Sequence, residues 1–345
     1  MSRFIQLHLL TSYPPANLNR DDLGQPKTAR LGGVERLRIS SQSLKRAWRT
    51  SDVFKEALTG TIGMRTKRLG VEAFEALKKA GIAEKKAEEW AKKIAAVYGA
   101  AKKENPLEIG QLVHVSPEER KSLDELVARI AAEDRAPKDD ELDALLHEQT
   151  AVDIAMFGRM LADKPKHNIE AAIQVAHAIG VHASPIEDDY FTAVDDLNRD
   201  DETGAGHVGE AGFAAAVFYE YICIDREHLK ENLGGDEVLT ERALRALTEA
   251  ALKVAPTGKQ NSYASRAYAH FALAEKGNQQ PRSLSLAFLK PVTGQDYASV
   301  ATSALLQLLE NMDKVYGKCS DHHLHIDAIA GEGKVSDLLD FVAGE

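Results

Sequence analysis

Ser40, Gln42, Lys45, Arg46 and Arg49 are grouped closely enough to form one anion cradle. On a helix, Gln42, Lys45, Arg46 and Arg49 stand at i, i+3, i+4 and i+7 and share a face. Ser40 and Ser41 are N-capping types, so free backbone N–H groups and serine hydroxyls would open that helix. A basic stripe behind such an opening can hold phosphate through charge-assisted hydrogen bonds. Arg36 and Arg38 precede it on a segment that alternates like a strand, and Arg20, Lys27 and Arg30 lie further upstream. Across residues 19–50, eight basic residues meet three acidic ones (Asp21, Asp22 and Glu35), a local net of +5. The whole chain has 43 Lys+Arg against 53 Asp+Glu and a net of −10, which leaves −15 for everything outside that segment. A solvated helix face uses the same residue types. The flanking arginines, the serine cap and the acidic background favour a dedicated polyanion site.

Other groupings suggest different chemistry. Asp21 and Asp22 could support metal-assisted phosphodiester cleavage, although an ion contact with Arg20 explains them more simply. Gly204, Gly206 and Gly209 spell G-x-G-x-x-G, but an acidic stretch precedes them where a dinucleotide site needs a strand. Cys319, His322, His323 and His325 lack the second ligand cluster of a zinc site and read as strand residues. Glu187, Asp188, Asp189, Asp195, Asp196, Asp200, Asp201 and Glu202 lack EF-hand spacing. They read as solvated loop acids or as a contact for a neighbour's basic segment. No Ser-His-Asp or Cys-His arrangement stands out. Neither a cofactor nor a metal is expected.

The elements that must position these residues follow from periodicity and punctuation. Ile5, Leu7 and Leu9 make a first strand, not a signal peptide, and residues 12–30 read as a long polar loop. A strand over 35–39 leads into one helix over 42–58. Residues 65–147 are Ala/Glu/Lys/Leu-rich with helical spacing, a helical lobe with little β-character. Residues 151–160 read as a buried strand, 169–179 as a helix and 180–183 as a strand. An irregular segment spans 184–212, and loops of that length are more often functional than accidental. Then come a strand over 213–224, helices over 225–233 and 237–254, and weaker strands over 263–274 and 283–289. Helices over 296–316 and 336–342 close the chain. The fold class is α+β: a small mixed sheet with helices on one face, a ferredoxin-like core carrying two insertions.

At 345 residues, 44% hydrophobic and 28% charged, the chain has an ordinary globular composition. Two cysteines, Cys223 and Cys319, are too few for a disulfide framework and suit a reducing cytoplasm. No apolar run reaches membrane-spanning length.

LNRDD (18–22), GG (32–33) and RISSQSLKRAWR (38–49) resemble the N-terminal signature of the CasC family, the backbone subunit of the type I-E CRISPR surveillance complex Cascade. VDIAMFGRM (152–160), AHAI (176–179), FTAVDDL (191–197), VFYEYICI (217–224) and ENLGG (231–235) follow in family order. The resemblance implies a non-enzymatic, cytoplasmic protein that polymerises head-to-tail along the spacer of a CRISPR guide RNA. Its partners would be the guide, the target DNA strand paired to it, adjacent copies of itself and other Cascade subunits, with no membrane. It implies an RRM-like palm (1–64 and 148–345), helical fingers (65–147) and a thumb loop (184–212) that displaces a guide base. Arg20, Lys27, Ser40, Gln42, Lys45, Arg46 and Arg49 carry over as guide-backbone contacts. Met160 carries over as an apolar wedge, against a plain core reading, and Lys259 and Gln260 as a second guide-contacting loop. Related effectors that cleave target RNA with a loop aspartate supply an alternative, with Asp21 or Asp22 as the candidate. A nucleotide-using enzyme built on the glycine loop is the third reading.

Overall fold

Apolar residues recur along the first segment and build strand β1 (Phe4–Ala16). The computed structural model describes residues 2–147, 151–161, 164–193 and 207–344. Within them the chain is mixed α/β, with one large sheet and many helices, and its contacts divide it into two units. The first gathers Met1–Phe54, Val175–Ile224 and Leu244–Glu345; the second gathers Lys55–Gln174 and Asp225–Ala243.

In the first unit the sheet runs from strand His322–Asp327 through Ala269–Gly277, β1, His207–Asp225 and Ala178–Gly180 to β3 (Val34–Ile39) and β2 (Thr28–Leu31). β1 pairs antiparallel with Ala269–Gly277, placing Gln6 opposite Glu275, His8 opposite Leu273 and Leu10 opposite Phe271. Side chains alternate along a strand, so Ile5, Leu7 and Leu9 face one way and Gln6, His8 and Leu10 the other. Both sets are buried. The sheet is therefore covered on both faces at β1, where the sequence suggested helices on one face only. On one face Leu10, Phe271 and Leu273 pack with Phe288, and with Ala301 and Leu305 of the helix Tyr297–Tyr316.

That face also holds a buried polar chain. Leu284 N–H donates to Tyr219 Oη at 2.9 Å, and Tyr219 Oη lies 2.8 Å from His8 Nδ1. His8 Nε2 lies 2.9 Å from Glu275 Oε2, and Arg282 donates to both carboxylate oxygens of Glu275 at 2.6 and 3.0 Å. A carboxylate only accepts, so His8 carries its proton on Nε2 and accepts from tyrosine at Nδ1. Burial alone would raise the Glu275 carboxyl, yet the hydrogen bonds from His8 and Arg282 hold it at about 2.

The second unit is largely helical. Helices Leu69–Lys79, Glu84–Tyr98 and Pro117–Ala132 close on Leu77, Trp90, Ile94, Tyr98, Leu123 and Ile130. Ser116 and Glu119 form a capping box on the third helix. The buried Glu119 carboxylate also takes Arg159 Nη1 at 2.8 and 2.9 Å. Strands Met64–Thr66 and Val113–Val115 pair within this otherwise helical stretch.

Several elements differ from the sequence reading. Residues 151–160 form a short helix, Val152–Phe157, not a strand; 151–156 are buried all round, so no periodicity distinguishes the two. The helix expected over 169–179 is instead the strands Ile173–Val175 and Ala178–Gly180, because pairing overrides the propensity of an Ala-rich segment. The strand expected over 283–289 is a single 3₁₀ turn, Ser285–Phe288. The strand expected over 263–274 is the turn of helix Gln260–Tyr263 followed by Ala269–Gly277. β1 and β2 shorten the expected 12–30 loop to residues 17–27. In the segment read as irregular over 184–212, Glu187–Ala193 pairs antiparallel with the start of His207–Asp225. Gly204, Gly206, Asp195, Asp196, Asp200, Asp201 and Glu202 lie outside the described residues.

Glu220, on strand His207–Asp225, is buried, and its Oε1 has no hydrogen-bond partner among the described residues. Burial pushes its carboxyl up to about 8. The native state then keeps a proton that the unfolded chain releases above its ordinary value of 4.5. Stability from this group is complete below 4.5 and is lost as pH rises through about 8. Glu220→Gln should remove that loss and stabilise the fold at pH 8.5 by roughly 1–3 kcal/mol, with little change at pH 4.5, in urea unfolding followed by circular dichroism.

Candidate nucleic-acid interface

Ser40 caps helix α1 (Ser41–Thr50), its Oγ accepting from Ser43 N at 3.3 Å. Leu44, Ala47 and Trp48 form the buried stripe, which leaves Gln42 and Arg46 exposed and Lys45 and Arg49 half-buried beside them. The expected single helix over 42–58 breaks at Ser51. Its Oγ donates to Trp48 O at 2.7 Å and accepts from Phe54 N at 3.2 Å, ending α1 and starting α2 (Asp52–Ala57).

Loop 17–27 is pinned to the start of α1 by backbone and amide groups. Asn19 Oδ1 accepts from Ser40 N, and Asn19 O accepts from Lys27 N, both at 2.8 Å. Lys27 O in turn accepts from Arg38 N at 2.8 Å. The fully buried Asn17 donates through Nδ2 to Gly24 O at 2.9 Å and to Gly212 O at 2.8 Å. Asp21 Oδ1 accepts from Leu23 N and Gln25 N, each at 2.9 Å, closing a tight turn. The Asp21 carboxylate thus organises the loop backbone, where the sequence suggested a contact with Arg20.

Gly258 packs directly on this loop. A Cβ at that position would stand 2.2 Å from Leu18 O, so only glycine permits the approach. Lys259 and Gln260 follow at once, Lys259 in the left-handed region (φ 44°) and Gln260 opening the turn Gln260–Tyr263. Arg20, Asp21, Asp22, Ser43, Arg46, Thr257 and Gly258 line an open cleft of about 500 Å³.

A second basic group surrounds His177. Lys27, Arg38 and Lys45 all act on His177, each lowering its pKa after burial has done so. Among the described residues no carboxylate pairs with Arg20, Lys27, Arg38 or Arg46. Arg36 behaves differently and corrects the sequence reading. It is fully buried and donates to Gly180 O at 2.9 Å and Phe288 O at 3.1 Å, so it ties β3 to the core and is closed to a ligand.

Of the expected contacts, the first unit holds Arg20, Lys27, Ser40, Gln42, Lys45, Arg46, Arg49, Lys259 and Gln260. Ser40 is buried and serves as the cap. Met160 lies in the second unit and is 75% exposed, so it is not the core methionine of the plain reading; the buried one is Met156. Its neighbour Gly158 takes φ 79° with Ile169 O only 3.0 Å from where a Cβ would sit. Sequence reasoning missed Asn17, Asn19 and His177, although LNRDD and AHAI contained two of them. It also missed Tyr190 and Phe191, adjacent exposed aromatics on strand Glu187–Ala193, with Phe191 lying across Gly209. Their signal was a pair of β-forming aromatics inside an acidic segment.

The family model described as CT1975-like protein matches residues 5–337. A chain of a solved structure described as "CRISPR RNA-guided surveillance complex, pre-nicking" is 28% identical with a TM-score of 0.84, covering 99% of each chain. A chain from a second structure, "CRISPR RNA-guided surveillance complex", is 25% identical with a TM-score of 0.62, covering 99% of this chain and 98% of that one. No curated protein matches the chain.

Asn17→Ala removes two buried donors and leaves two carbonyls unsatisfied. It should destabilise the protein by about 1–3 kcal/mol, read from the urea midpoint at unchanged slope.

Proposed function

Because the chain belongs to the family of CT1975-like proteins, we propose that it is a backbone subunit of a CRISPR RNA-guided surveillance complex and binds the guide RNA. The observation that carries this reading is the cluster of Arg20, Lys27, Arg38, Lys45 and Arg46 around the start of α1, in a chain whose net charge is −10. Such a cluster neutralises phosphates. Contacts of this type position a strand without reading its bases, and sequence reading passes to base pairing between guide and target. The likeness to chains of two solved surveillance complexes over nearly the whole length supports the same role.

The finer reading is a type I-E subunit that repeats head-to-tail along the spacer and presents the guide to target DNA in the cytoplasm. In it the first unit's sheet serves as an RRM-like, ferredoxin-type palm and the helical stretch as fingers. Strands Glu187–Ala193 and His207–Asp225 form the base of the thumb. Exposed Tyr190 and Phe191 suit stacking on unpaired bases, and exposed Met160 suits a wedge. The subunit is non-catalytic: Asp21 is engaged by two backbone amides, which argues against its use as a metal ligand in target cleavage.

Co-expression with neighbouring subunits should yield a discrete CRISPR RNA with the chain. Lys45→Glu with Arg49→Glu should abolish that assembly while the circular dichroism spectrum stays unchanged; normal assembly would refute the reading. Neutralising the same pair, Lys45→Gln with Arg49→Gln, should lower the slope of log affinity against log salt by about two. Incubation of the assembled complex with complementary RNA and magnesium should give no cleavage products, and products lost in Asp21→Asn or Asp22→Asn would favour the cleaving alternative.

A further inference from the structure

Arg38 Nη1 lies 2.7 Å from Nδ1 of His177, and Arg38 Nε donates to Thr28 O at 3.4 Å. The pairing of β3 with strand Ala178–Gly180, which sets Arg38 opposite Ile179, fixes this approach. A guanidinium can only donate, so His177 Nδ1 accepts and the neutral ring carries its proton on Nε2. His177 is exposed as a residue, while its imidazole is partly desolvated. The charged groups acting on it are Arg38 from β3, Lys27 from the pinned loop and Lys45 from α1, and all three are cations. Burial first, then these three charges, hold the imidazole below its ordinary value. An anion docked among these groups would offset their charge and favour the imidazolium.

We propose that Arg38 and His177 form a phosphodiester contact that takes up a proton when RNA binds. As the phosphate docks, Arg38 moves its N–H from His177 Nδ1 to a phosphate oxygen. The vacated Nδ1 takes a proton from solvent, and the imidazolium becomes a second cation on the same phosphate. One N–H bond forms at Nδ1 and one bond to hydrogen breaks in the buffer acid; no bond between heavy atoms changes. This contact rests on the RNA-binding reading and adds to it a proton-linked site that the basic helix stripe does not supply.

The test is calorimetric titration of the full chain with a single-stranded CRISPR guide RNA, at pH 6.5, in buffers of different ionisation heat. The wild type should take up a substantial fraction of a proton per bound subunit. Its affinity should rise about tenfold between pH 8 and pH 6, the linkage expected for uptake of roughly half a proton. His177→Asn keeps an acceptor for Arg38 but cannot titrate, and should lose both the proton uptake and that pH dependence. The exposed position of the residue makes unfolding by this change easy to exclude by circular dichroism. RNA binding with no proton uptake, or with uptake that persists in His177→Asn, overturns this inference and leaves the RNA-binding reading intact. Absence of RNA binding at every pH overturns both.

Discussion

Cations held close together repel, and among the described residues no carboxylate pairs with Arg20, Lys27, Arg38 or Arg46 to offset that. Each like-charge pair a few ångströms apart costs about 1 kcal/mol in water-like surroundings. The chain meets this cost with neutral hydrogen bonds: Asn19 ties the loop to Ser40 N at the strand-to-helix corner, and Asn17 ties it to Gly24 O and Gly212 O. Amides can fix a backbone without cancelling the field above it. A carboxylate in the same place would anchor the loop more strongly and spoil the site for an anion. Asp21 and Asp22 line the same cleft as Arg20 and Arg46, and one oxygen of Asp21 is taken up by backbone amides.

The same logic separates the two buried glutamates of the sheet. Glu275 receives His8 and Arg282 and stays ionised, and the chain of donors from Leu284 N to Glu275 fixes one histidine tautomer. Among the described residues no cation pairs with Glu220, which keeps its proton at neutral pH. One carboxylate sets the register of polar groups between β1 and Ala269–Gly277. The other spends stability across the physiological range, and the described contacts give no structural return for it.

Much of the site was legible in the sequence because it is local. Ser40, the apolar stripe of α1 and the basic positions beside it follow from spacing alone, and the structure keeps them on one helix. Arg36 shows where that reasoning stops: its charge counted toward the basic segment, but strand alternation turned it into the core against Gly180 and Phe288. His177 was invisible for a different reason. Its segment has helix-favouring composition, and only pairing with β3 brings it beside Arg38. The break at Ser51 was equally hidden, because one hydroxyl both ends α1 and begins α2. Residues 151–160 failed through uniform burial, which erases any period.

The concentration of cations around the start of α1, in a chain whose net charge is −10, has a kinetic consequence. In the field of an approaching polyanion those cations are drawn in while the net charge is repelled, so the molecule experiences a torque. It arrives already turned, and fewer collisions are wasted on the wrong orientation.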